Sequence, residues 1–180
     1  MSGLARPEHL ATTDWLAERL GRPGVRIVDA RWRPDGSGPT VHASGHIPGA
    51  VHLDWRADLI DPDESGDSLL LVGPDRMAEV ASRLGIGDGT TVVVYDDSQS
   101  LFAARAWWSL RTYGVESVRI LDGGFPEWVK EGRPVSNAEA IPTPASLTLR
   151  GPNRMRLTTA DVRGLLGSPD VTLVDARAAA

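Results

Sequence analysis

Thr91-Val92-Val93-Val94-Tyr95-Asp96-Asp97-Ser98-Gln99-Ser100-Leu101-Phe102 is the stretch whose reading decides the fold. Five residues of an apolar, largely β-branched run give way to a polar loop and then to a helix from about Leu101 to Tyr113. The run does not alternate between apolar and polar residues. A strand of that kind is buried on both faces, as in a parallel sheet covered by helices. Working outward, Val25 to Asp29, Ala50 to Leu53 and Val118 to Leu121 read as further short strands. Helices are predicted from Thr12 or Thr13 to about Leu20, from Pro74 through Met77, Val80, Ala81 and Leu84, and from about Pro126 to Lys130. Residues 31–45 carry Pro34, Gly36, Gly38 and Pro39 and read as a loop. Alternation of this kind means an α/β fold with a mostly parallel sheet.

A second pattern lies under the first. Thr12-Thr13 to Arg31 aligns without gaps on Thr158-Thr159 to Arg177. The two stretches end alike, in Val28-Asp29-Ala30-Arg31 and Val174-Asp175-Ala176-Arg177. Self-similarity at one offset indicates a duplicated unit. We therefore expect a whole domain over residues 1–135, a linker over 136–157 containing Ile141-Pro142-Thr143-Pro144, and over 158–180 the truncated start of a second domain. The orphan end of the chain, with Val171, Leu173 and Val174, is expected to be mobile, to borrow another surface or to drive self-association.

Composition sets limits. The chain has 180 residues, 41% hydrophobic and 24% charged, with a net charge of -5 and no cysteine. Disulfides, cysteine-ligated zinc, iron–sulfur clusters and a thiolate nucleophile are all excluded. The negative balance argues against a nucleic-acid surface, and no apolar run reaches the length of a membrane span. No cofactor is implied, and a cytoplasmic location is expected. His42, His46 and His52 lack helical metal-ligand spacing, so no metal site is expected either.

The loop after Tyr95 sits at the carboxyl edge of the sheet, where open α/β folds place their sites. It lacks the Gly-Lys-Ser/Thr of a P-loop. Its adjacent Asp96 and Asp97 do not match the spacing of a haloacid-dehalogenase-type phosphotransferase. A response-regulator receiver would need an acidic pair after its first strand, and Asp29 stands alone there. The plainest reading is a solvated turn in which Asp96 or Ser98 to Ser100 caps the following helix.

Gly45-His46-Ile47-Pro48-Gly49-Ala50 and Asp122-Gly123-Gly124-Phe125-Pro126-Glu127-Trp128 together resemble the rhodanese homology domain. Ala106-Trp107-Trp108 and Lys130-Glu131-Gly132-Arg133-Pro134-Val135 are most similar to its tandem members, the thiosulfate and 3-mercaptopyruvate sulfurtransferases. The resemblance implies a sheet of about five parallel strands with helices on both faces. It implies two such domains across a cleft, the second bearing a cysteine that carries sulfane sulfur as a persulfide to cyanide or a thiol. The partner would be a small sulfur-containing anion. In this chain Asp96 occupies the place of the nucleophilic cysteine, so no catalytic residue is expected. The alternative is a binding or structural module without chemistry. Trp32, His46, Leu101, Phe102 and Arg105 are the implied cleft residues, Arg105 more as the partner of a carboxylate. Active family loops form a ring of backbone N–H groups aimed at sulfur. With no glycine between Asp96 and Leu101, such a ring is not expected to close here.

Overall fold

The computed structural model describes residues 7–62, 69–151 and 155–176. The strands are β1 (Leu10–Ala11), β2 (Val25–Asp29), β3 (Ala50–His52), β4 (Thr91–Tyr95) and β5 (Val118–Leu121). They form one sheet in the order β1-β5-β4-β2-β3, and every pairing is parallel. β4 lies at its centre, with Ile27 opposite Val93 and Val28 opposite Val94. Its side chains alternate between two cores. Val92 and Val94 face α3 (Trp55–Leu59), α4 (Pro74–Arg83) and α5 (Leu101–Thr112). Val93 and Tyr95 face α1 (Thr13–Ala17) and α6 (Gly124–Lys130), where Leu16 and Trp128 are fully buried. Double burial is the reason the run shows no alternation.

Two local expectations change. Residues 31–45 are not all loop, since α2 spans Gly38–Ser44 with a proline in its first turn. Pro39 there starts a helix, because its missing N–H is one that no helix start can use. The second difference lies beyond Val135. Residues 136–150 are extended but packed on the first unit. Ser136 and His46 exchange backbone hydrogen bonds of 2.8 and 2.9 Å. Ala140, Leu147 and Leu149 lie on the core, Thr148 holds the Asp88 carboxylate, and the Arg150 N–H donates to the Tyr113 carbonyl. Leu147 to Leu149 therefore lie against the sheet's own unit without joining it as a strand.

Past that strap, α7 (Thr159–Leu165) forms with a reciprocal Thr158–Asp161 capping box. Residues 171–176 form no strand. Arg177, the last matched position of the repeat, lies outside the described residues. Among the described residues no helix is long and apolar enough to cross a membrane.

Candidate functional site

β4 ends at Tyr95 and delivers Asp96 to the carboxyl edge, 1% exposed. The loop curls around its carboxylate. Oδ1 accepts from the N–H groups of Ser98 and Ser100, both at 2.9 Å. Oδ2 accepts from those of Phe102 and Ala103, both at 2.8 Å, at the start of α5. The ring of backbone donors thus closes without glycine, against the expectation from sequence. It does so by placing Gln99 and Ser100 at φ 56 and 65. That conformation costs roughly 1–2 kcal/mol per residue, and four charge-assisted hydrogen bonds outweigh it.

The ring is braced from behind. The Phe125 N–H donates to the Asp96 carbonyl at 2.8 Å. A Cβ on Gly124 would stand 2.4 Å from that same oxygen, at a φ of +59. Only glycine permits this approach, which gives the Gly123-Gly124-Phe125 stretch a physical reason. Asp97 turns outward and meets Arg33 in a fork of 3.0 and 2.5 Å. Burial pushes the Asp97 carboxyl up, but the Arg33 bonds and charge outweigh it and hold it below its ordinary value.

Beside the ring, Trp32, Trp55 and Phe102 pack as a triangle with centroids 5.4–5.8 Å apart. Leu101 is 66% exposed next to them. The structure therefore brings together Trp32 and Phe102 among the residues expected at a cleft, adds Trp55, and leaves Leu101 exposed beside Phe102 in the chain. Arg105 finds no carboxylate among the described residues. Its Nη2 donates to the Leu69 carbonyl and its guanidinium lies 4.9 Å from the Trp108 ring centre.

His46 is placed elsewhere. It is 1% exposed, with Nδ1 at 2.8 Å from the His42 carbonyl and Nε2 at 3.2 Å from the Ala138 carbonyl. No ring nitrogen remains for a substrate. The ring stacks on His42, which in turn bonds Asp29 at 2.9 Å. Asp29 and Arg31 form a buried fork whose Nη2 also reaches the Gly45 carbonyl. Burial pushes Asp29 up, but the hydrogen bonds from His42 and Arg31 prevail and hold it at about 2. Sequence reasoning missed this network, although one signal was present: the Asp-Ala-Arg of 29–31 recurs at 175–177. An acid and a base two residues apart on a strand end share one face and can pair.

Chemically, the ring is a place for one anion, and the chain's own carboxylate fills it. A carboxylate cannot become a stable sulfane carrier, because transfer needs a polarizable thiolate. Among the described residues no group of three or more His, Cys, Asp or Glu is gathered to hold a metal.

Comparison with known proteins gives this geometry its setting. The family profile described as "Rhodanese-like domain" matches residues 12–131. The chain belongs to the rhodanese-like family. Its rhodanese-like unit is 37% identical over 134 residues to the sulfur carrier protein TtuD of Thermus thermophilus, covering 74% of this chain and 44% of that protein. Against thiosulfate sulfurtransferase from Bos taurus the identity is 36% over 179 residues, covering 94% and 59%. The crystal structure of SseA from Escherichia coli, among the 3-mercaptopyruvate sulfotransferases, superposes with a TM-score of 0.78 at 30% identity, over 87% of this chain and 61% of that one. The chain spans about half the length of the curated relatives it matches. The five-stranded parallel sheet with helices on both faces is the rhodanese-like fold, and within it Asp96 marks a loop without a thiol.

Proposed function

We propose that this unit is the cysteine-free half of a two-unit sulfurtransferase. Such an enzyme moves sulfane sulfur from thiosulfate or 3-mercaptopyruvate to cyanide or a thiol. The catalytic cysteine comes from a second rhodanese-like unit, and residues 158–180 begin that unit. The observation that carries the reading is the Asp96 carboxylate seated in a complete ring of backbone donors. Its edge supplies a rigid wall, with Trp32, Leu101 and Phe102 facing the small sulfur-containing anion. His46 supports that wall from within by fastening residues 136–138, and Arg105 braces the start of α5 against Leu69. On the same footing we assign the protein to the cytoplasm, where reduced thiol acceptors are abundant.

The test is thiocyanate formation. With thiosulfate or 3-mercaptopyruvate plus cyanide, the pure chain should match the buffer rate. Turnover that survives repurification would show a nucleophile other than cysteine and overturn the reading. A unit with no role in sulfur transfer would also be silent alone. It is distinguished by joining the chain to a cysteine-bearing unit, where Phe102→Ala should raise the KM for the sulfur donor several-fold.

A further inference from the structure

A second polar centre lies on the other flank of the sheet, between β3, α2 and the strap. A cavity of about 490 Å3 opens there, lined by His42, His52, Arg83, Glu139 and the apolar residues from Ala140 to Pro144. Each histidine has one ring nitrogen already engaged by an acceptor. His42 Nδ1 meets the buried Asp29 carboxylate at 2.9 Å. His52 Nε2 meets the Arg31 carbonyl at 3.2 Å. With those nitrogens as donors, His42 Nε2 and His52 Nδ1 are left as lone-pair positions. Metal-binding histidines show this pattern, the outer nitrogen donating to a carboxylate or a carbonyl that fixes the ring.

We propose that His42 and His52 together chelate a divalent transition-metal ion, of the zinc, nickel or copper class that imidazole suits. The spacing agrees. At a metal–nitrogen distance of about 2.0–2.1 Å, two imidazoles sharing one ion have ring centres roughly 5–6 Å apart. The centres of His42 and His52 are 5.5 Å apart. The charges also allow it. Arg83 is neutralised by Asp58 at 2.7 Å, and Glu139 is exposed in the same cavity with no partner among the described residues. Water completes the shell. Bound there, the ion ties α2 to β3.

The chain has four histidines and no cysteine, so imidazole binding can be assigned cleanly. Titration of the unmodified chain with Ni2+ at neutral pH, followed by NMR, should broaden the His42 and His52 ring protons before those of His9. Calorimetry with Zn2+ should show one site that His42→Ala and His52→Ala each weaken by about tenfold or more, and that His9→Ala leaves unchanged. At ten times its Kd, Zn2+ should raise the Tm by roughly 3–6 °C. Broadening centred on His9, binding lost in His9→Ala, or no saturable site each overturns the proposal. The NMR result on the unmodified chain decides even where His42→Ala fails to fold.

Discussion

Residues 12–29 and 158–175 carry nearly the same message and meet different fates. In the first copy, α1 is followed by β2, and β2 lies between β3 and β4. Ile27 and Val28 are 4% and 0% exposed. In the second copy, α7 forms with a complete capping box, yet the matching Leu173 and Val174 are 51% and 82% exposed and no strand appears. A helix satisfies its hydrogen bonds within itself and needs only caps to begin. A strand has no internal ladder and exists only where neighbours supply one. The first copy has paired strands on both sides, and the second forms no strand ladder among the described residues.

The largest effect should come from charging the centre of that contrast. Val28→Asp buries an unpaired carboxylate between two strands and should cost more than about 4 kcal/mol, enough to abolish cooperative unfolding in a urea titration. A folded Val28→Asp protein of ordinary stability would mean that the two copies differ less than their burial implies.

Asp96→Gly should come next. It leaves four backbone donors without their carboxylate and should lower stability by about 3–4 kcal/mol. Acetate carries the atoms removed. It should recover part of the lost Tm, whereas acetamide and chloride should not. Equal effects of all three would show that the ring has no preference for an anion.

The boundary of the folded region can be sharpened by truncation. A chain ending at residue 135 loses the Ser136–His46 bridge and the packing of Ala140, Leu147 and Leu149. It should be about 3 kcal/mol less stable than a chain ending at 150. Equal denaturation midpoints would return residues 136–150 to the status of a linker. By the same argument mild proteolysis should cut after Gly151, rather than soon after Val135.

Acid should act through the first copy. The folded Asp29 carboxyl sits at about 2, below its ordinary value of 3.8. The native state therefore binds that proton less readily than the unfolded chain. Its contribution is complete above pH about 4 and is lost as the pH falls toward 2, a change of about 2 kcal/mol. Asp29→Asn should flatten that part of the stability profile. A profile that stays as steep would assign the acid sensitivity to other carboxylates.

The smallest effects belong to the second copy. Val174→Asp should change stability by less than about 0.5 kcal/mol, as expected for an exposed position. Removing residues 151–180 should leave the Tm nearly unchanged and reduce any self-association seen by sedimentation. A large loss of stability would make the tail part of the first core.

Much of this was legible before any coordinates. Val92 to Tyr95, with no polar residue among them, could only be a strand covered on both sides. Met77, Val80, Ala81 and Leu84 could only be one face of a helix. Asp96 at the strand end marked the site, and its capping of α5 was among the readings open to it. The closed ring was not legible. It depends on Gln99 and Ser100 accepting a left-handed backbone, which residue type disfavours and the buried carboxylate enforces. His46 was legible in part. A lone histidine before a Pro-Gly turn is more often a structural hydrogen-bonder than a catalyst, but only the strap shows that its ring lies under Ala138.

The sequence by itself determined α1, α4, α5 and α6, the central strand, the missing thiol and the repeat, because helix periodicity, double burial and residue chemistry are local properties. The tertiary structure decided which copy of the repeat holds a strand, which donors surround Asp96, and how Asp29, Arg31, His42 and His46 meet. Those outcomes depend on groups far apart in the chain, and a burial cost can be offset only by partners that the fold brings into contact.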